Sequence, residues 1–383
     1  MSELPTWEYY SDTEGIGGTI KEQIDDFVVE EKADPDTESG DSVIVKMKKF
    51  NMTTMEAIRE LSNILHVSRK RFGYAGNKDK RAITTQYVSV EGLDEEDLQH
   101  VFIPDLEIEV VGKGEPVGLG NLEGNGFEIV VRNIPLPKDE IEDRIDTIVE
   151  ELDGQIPNYF GSQRFGSQRS ITHEVGREML KGDYEQAVWT YIAKPSEQEH
   201  EKIKKVREDL WESREVERAA EKFPEQYRYE KILLYHLAKN PEDYSGAIKR
   251  LPEGLQQLFI HAYQSYVFNH ALSSLLADGF EDFSAELPLA GYKTSLRDEE
   301  GGRKIEELME EDGIDQQDFK LPDFPHLRSE GDYRKCFVPF RDFDLKNIED
   351  DELNMNKRFA EVSFELDSGS YATVFLRELM KNE

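Results

Sequence analysis

Residues 17–31 (GGTIKEQIDDFVVEE) and 42–50 (SVIVKMKKF) have the β-branched, strand-like character that predicts two strands, parted by the turn-rich ADPDTESGD. Thr53 or Thr54 can then cap a helix whose apolar positions Ile58, Leu61 and Leu65 recur at three and four residues. QYVSV, after the loop RFGYAGNKDKRAITT, reads as a strand, and so does FEIVVRN after the glycine-rich GLGNLEGNG. The next segment puts Ile141, Ile145, Ile148 and Leu152 on one helical face. Interleaved strands and helices predict an α/β or α+β sheet domain.

From about residue 170 to 278 the pattern turns almost wholly helical. EQEHEKIKKVREDLWESREVERAAEK is charged on most faces, and LQQLFIHAYQSYVFNHALSSLLADG is a long, mostly apolar helix. Residues 279–335 read as loops and short strands rich in Gly, Pro, Asp and Glu, and RFAEVSFELDSGSYATVFLREL alternates like a strand pair with a turn at DSGS. A terminal strand pair closes a sheet begun upstream, so the helical block reads as an insertion. The expected division is a discontinuous sheet domain, 1–168 with 330–383, and an inserted domain, 169–329. The tandem FGSQR repeat at 160–169 is too short to set an architecture.

Composition changes this picture in one respect. The 383 residues carry 81 acids against 47 bases, a net charge of -34. Such charge can signal disorder, yet aromatic residues (10%) run the whole length and the acids lie on periodic segments. The expectation is a folded protein with an acidic, hydrated surface, suited to concentrated salt. The 26 lysines against 21 arginines run counter to the lysine depletion of an extreme halophile. No apolar run reaches the ~18 residues of a membrane helix, and MSELPTWEYY lacks the layout of an export signal, so a cytoplasmic location without a membrane partner is expected. The lone Cys336 excludes an intramolecular disulfide framework and a multi-cysteine zinc site. His66, His173, His236, His261, His270 and His326 have no metal-ligand spacing, and no metal is expected.

Against this background one window is basic. Arg69, Lys70, Arg71, Lys78, Lys80 and Arg81 surround a single acid, Asp79, giving +5 over 13 residues. That contrast points to a loop that binds a polyanion backbone, with Gly73 and Gly76 permitting close approach. Asp79 has two readings: an aspartate that builds its own turn, or a carboxylate held ionised among cations for nucleophilic work. NYFGSQRFGSQR (158–169) alternates aromatic, glycine, amide and arginine, which suits stacking on a base but equally suits core anchors at a domain junction.

These residues also carry a resemblance. AGNKDKRAITTQ resembles the signature of the TruD family of tRNA pseudouridine synthases, and NYFGSQRFG is similar to that family's second signature. GTIKEQIDDFVVEE, GNLEGNGFEIVVR, AYQSYVFN and SGSYATVFLREL resemble further family segments, so the likeness runs from about 17 to 379, with no signature in 180–250 or 290–330. Where the family often has P-E-D-F, this chain has Ile24-Asp25-Asp26-Phe27, which leaves the loop geometry of the first strand open. The resemblance implies an α+β pseudouridine-synthase fold, a mixed, largely antiparallel sheet with flanking helices plus the helical insertion. It implies isomerisation of a tRNA uridine, usually position 13, to pseudouridine through a flipped-out base, with no cofactor. Asp79 falls on the family's catalytic aspartate. Asn158, Phe160, Lys21 and Phe27 fall on active-site positions, Lys78 reads as a phosphate or charge partner, and Gln163 and Arg164 as RNA-binding or loop-orienting. Gln86 reads as structural. Arg69, Lys70, Arg71, Lys80 and Arg81 are expected on the RNA backbone, and Arg377 is a candidate ion-pair partner of Asp79. The partner expected is tRNA and the chain is expected to be a monomer; the competing reading is a non-catalytic tRNA-binding or folding factor on the same scaffold.

Overall fold

The chain divides into two compact units, a sheet unit of Tyr10–Ile156 with Val338–Glu383 and a helical unit of the residues through Tyr9 with Pro157–Phe337. The computed structural model describes residues 6–382 except 38, 119–120, 167–168 and 298–299. In the sheet unit the strands are β1 (Thr19–Ile20), β2 (Phe27–Lys32), β3 (Ser42–Phe50), β4 (Phe72–Tyr74), β5 (Ile83–Glu91), β6 (Leu106–Gly114), β7 (Gly124–Ile134) and β8 (Gln155–Pro157). β9 (Glu286–Leu289) and β10 (Asp332–Lys335) form a hairpin-like pair in the helical unit, and β11 (Phe337–Asp350) and β12 (Arg358–Asp367) complete the large sheet. The sheet order is β6-β3-β5-β2-β7-β12-β11-β8, with β1 on β7 and β4 on β5. β2 runs parallel to β5, whereas β3–β5, β3–β6, β2–β7, β7–β12 and β11–β12 are antiparallel.

Helices cover one face of this sheet. α1 (Thr54–Ile64) begins at a capping box in which the Thr53 hydroxyl accepts from the Glu56 amide while Glu56 accepts from the Thr53 amide. It packs Ala57, Ile58 and Leu61 onto Val43, Val45, Met47, Val88 and Val90, beside the short α2 (Glu95–Gln99). α3 (Lys138–Leu152) buries Ile141, Ile145, Ile148 and Leu152, each worth about 1.5–3 kcal/mol on burial. These four meet Phe27, Val29, Phe127, Ile129 and Phe364 of the sheet and Phe375 and Leu379 further on. The opposite face carries cross-strand ion pairs, Lys46–Glu30, Lys32–Glu365 and Lys346–Glu128.

The helical unit contains α4 (Thr172–Leu180), α5 (Tyr184–Ala193), α6 (Glu201–Ser213), α7 (Val216–Lys222), α8 (Arg228–Lys239), α9 (Tyr244–Ile248), α10 (Glu253–Ala277) and α11 (Glu300–Glu311). α10 is buried on most sides, and Gly176 lets α4 approach it, since a Cβ there would lie 2.0 Å from the Phe259 carbonyl oxygen. Arg207 is buried with Glu199 and Glu230, and its guanidinium donates to both and to the Tyr191 and Ile192 carbonyls.

Three features differ from the patterning. Residues 17–31 do not form one strand: Lys21, in a left-handed conformation (φ 62°), ends β1 before β2 begins. Ala372–Met380 is a helix, α12, not a second strand, because Phe375, Leu376 and Leu379 share a helical face against the sheet. α11 falls where loops and short strands are expected, with Ile305 and Met309 as its buried stripe among acids. The boundaries between the two units fall at Tyr9/Tyr10, Ile156/Pro157 and Phe337/Val338. Residues 158–166 and Arg169 therefore fall in the helical unit.

Candidate active site

Asp79 lies between β4 and β5, on a segment held from several directions. The Lys78 amide donates to the Thr54 hydroxyl (3.0 Å), which donates to Gln86 Oε1 (2.8 Å), and Gln86 Nε2 donates to the Gly76 carbonyl (3.1 Å). Lys49 Nζ donates to the Asp79 and Met52 carbonyls at 2.8 and 2.6 Å. On the far side Lys80 pairs with Glu56 (3.0 Å), and Arg81 donates to the Glu22 carbonyl (2.9 Å). The Thr53 amide, Lys80 and the Thr53 hydroxyl together hold Glu56 down to about 2.

The Asp79 carboxylate meets Lys21, whose ammonium lies 2.5 Å from Oδ2 and 4.0 Å from the centre of the Phe27 ring. The left-handed backbone at Lys21 turns its side chain toward that carboxylate, and Phe27, the first residue of β2, faces the core below. Asp79 keeps 34% of its side chain exposed. Lys78 has another fate: its ammonium is buried against Glu31 (3.3 Å) and the Asn125 amide oxygen. Burial pushes Lys78 down and Glu31 up, each opposed by the other's charge. Lys78 is thus a charge partner inside the protein, and Lys80 and Arg81 are likewise engaged by it. Arg69 and Lys70 remain exposed, while Arg71 is half-buried over Gly92.

A second cluster forms within the helical unit. Asn158 donates its amide to the Cys336 carbonyl (2.7 Å) and its side-chain Nδ2 to the Lys335 carbonyl (3.0 Å). Arg334 donates to the Asn158 main-chain and side-chain oxygens and stacks its guanidinium 4.1 Å from the Phe160 ring centre. Arg164 lies over the same ring at 5.5 Å, and Phe268 meets it edge-on at 5.5 Å. Asn269 grips the Phe160 backbone at both ends, accepting from its amide (2.8 Å) and donating to its carbonyl (3.0 Å). Phe160 is therefore a buried, cation-flanked aromatic, and Gln163 beside it is exposed.

The model of the family described as tRNA pseudouridine synthase D (TruD) matches residues 4–285 and 281–379. The chain belongs to the TruD family. Relatives named tRNA pseudouridine synthase D are 35% identical in Methanococcoides burtonii (98% of this chain, 95% of the relative) and 37% in Archaeoglobus fulgidus (98% and 97%). A crystal structure titled as a TruD from Methanosarcina mazei superposes with a TM-score of 0.82 at 33% identity, covering 98% of this chain and 96% of that one. The α+β sheet with its helical companion is thus the TruD fold.

Asp79 pairs with Lys21, and the Arg377 guanidinium lies 3.6 Å from Glu378 on α12. Four contributors escaped the sequence reading. Lys49 and Glu31 carried a signal, since each continues the inward row of its strand, after Val43, Val45 and Met47 and after Phe27 and Val29. Asn269 sat in the AYQSYVFN segment without a role, and Arg334 had no local signal at all.

Proposed function

We propose that this protein converts a uridine in tRNA to pseudouridine, with Asp79 acting at the glycosidic centre. The observation that carries the reading is the ionic pair Lys21–Asp79, in a loop braced by Lys49, Thr54, Gln86 and Glu56, within a chain that matches the TruD family over nearly its full length. The isomerisation breaks the C1'–N1 bond, rotates the uracil and joins C1' to C5; C5 loses a proton and N1 gains one, so no redox partner is consumed. An ionised carboxylate can attack covalently or stabilise positive charge at C1'. Lys21 keeps that carboxylate oriented and paired until substrate arrives.

Flipping the target base out of its stack gives the enzyme access to C1' and C5, and Phe160 offers an aromatic partner for the extruded ring. The family's usual target, position 13, is the uridine we assign. Arg69 and Lys70, exposed and, among the described residues, without ion pairs like those that occupy Lys78 and Lys80, are the phosphate contacts we assign to the basic window. The net charge of -34 fits work in a salty cytoplasm. No described helix is long and apolar enough to cross a membrane.

The test is to incubate unmodified tRNA with the protein and map pseudouridine, with Asp79→Asn as the comparison. Pseudouridine at one position, lost by at least about 10²-fold in Asp79→Asn while tRNA still binds, is the expected result. Binding without modification by the wild-type protein would instead favour a tRNA-binding factor.

A further inference from the structure

Lys49 closes the inward row of β3 and is as inaccessible as the valines before it (0%). Burying an ammonium is costly unless its donors are met, and a methionine would fill similar space with no charge to desolvate. Packing alone therefore gives no reason for a lysine here. Its three partners are main-chain carbonyls: Met52 (2.6 Å), Asp79 (2.8 Å) and, more distantly, Lys78 (3.4 Å). The last two belong to the peptide groups on either side of the Asp79 Cα.

We propose that Lys49 is a positioning residue for the isomerisation: its ammonium clamps the two peptides that flank Asp79, fixes the direction of that carboxylate toward substrate, and lends it a positive charge from behind. The proposal rests on the assignment of Asp79 as the acting carboxylate. It separates two cations with different tasks. Lys21 touches the carboxylate from the open side, where substrate must come, while Lys49 holds the backbone from the closed side.

The environment makes this clamp titratable. Burial pushes Lys49 down to about 8, with Asp79 opposing the shift. The charged groups facing it are Asp79 and Lys78 from the loop and Glu56 from α1; its register neighbours on β5 and β6, Thr84 and Leu106, do not titrate. Above pH 8 the ammonium loses its proton and one donor, and the hold on the Asp79 loop weakens.

The experiment measures single-turnover isomerisation and tRNA affinity from pH 6.5 to 9.5 for the wild type, Lys49→Met and Asp79→Asn. The expected wild-type rate falls across about pH 8 while affinity stays level. Lys49→Met should lose about 10²-fold in rate at pH 7, bind tRNA within threefold of wild type, and lack the break near pH 8. A Lys49→Met rate within fivefold of wild type, or a loss matched by lost affinity, overturns the proposal. Should Lys49→Met fail to fold, a wild-type rate that is flat between pH 7.5 and 8.5 overturns it, and a break there sustains it. Full activity in Asp79→Asn sinks the parent assignment and is told apart from failure at Lys49, which would leave Asp79→Asn inactive.

Discussion

Lys21 and Asp79, 58 positions apart in the chain, meet at 2.5 Å because a left-handed residue interrupts the first strand. A lysine in that conformation is strained relative to glycine, so the geometry is maintained by its contacts: the carboxylate at one end and the Phe27 ring beneath. Lys21→Met should lower the isomerisation rate by about 10²-fold or more with little change in tRNA affinity, since it strips Asp79 of its paired charge. Rate constants from single-turnover assays check this; parity with wild type would remove Lys21 from the reaction.

Phe160 is held by Asn269 through its backbone and by Arg334 across its ring face. If the ring receives the extruded uracil, Phe160→Ala forfeits a stacking contact of about 1–3 kcal/mol and should slow the reaction more than it weakens binding. Asn269→Ala, which leaves the ring but loosens its backbone, should show a smaller loss of the same kind. Equal effects on rate and affinity in both variants would return Phe160 to a purely structural anchor.

His173 is stacked 4.5 Å from Tyr266 and edge-on to Phe165, with Nδ1 buried and without a hydrogen-bond partner among the described residues. Burial pushes it down to about 4, well below an ordinary histidine. Between that value and about 6.5 the unfolded chain binds the proton that the folded one refuses, so stability falls as the pH is lowered through this range. The loss amounts to about 3 kcal/mol by pH 4, and His173→Phe should abolish that share of it. Denaturant melts of both proteins at pH 6.5 and 4.5 decide the matter, and identical acid slopes would refute it.

Salt acts in two directions on a chain of net charge -34 that must approach tRNA. It screens phosphate contacts, and it also screens the repulsion between two polyanions, with a Debye length of roughly 3 Å at 1 M. Because Lys78 is buried against Glu31 and Lys80 is paired with Glu56, the basic window offers phosphate mainly Arg69 and Lys70, and the repulsive component should dominate. Activity is expected to climb with KCl toward molar concentration. Replacing Arg69 and Lys70 by Gln should weaken binding most at the low end of that range, and Lys80→Gln much less. A steady decline of activity from about 50 mM upward, with the fold intact, would contradict this.

The sequence alone determined what depends on neighbours along the chain. The 3-and-4 spacing of Ile58 and Leu61 and of Ile141, Ile145, Ile148 and Leu152 produced α1 and α3, and Thr53 with Glu56 marked the start of α1. Asp79 stood out by its basic surroundings, and the two signature stretches carried the family. Even where alternation succeeded locally it left roles hidden: Lys49 and Glu31 sat in inward register but looked like ordinary strand charges. Only the folded chain decided that Lys21 meets Asp79, that Lys78 is buried against Glu31 while Lys80 pairs with Glu56 at the surface, and that Arg334 binds Asn158 from 176 residues away. The physical reason is range. Periodicity and capping report contacts within a helical turn or along one strand. A charge's partner is set instead by which strands pair and where each backbone turns, and those choices are made by the packing of the whole unit.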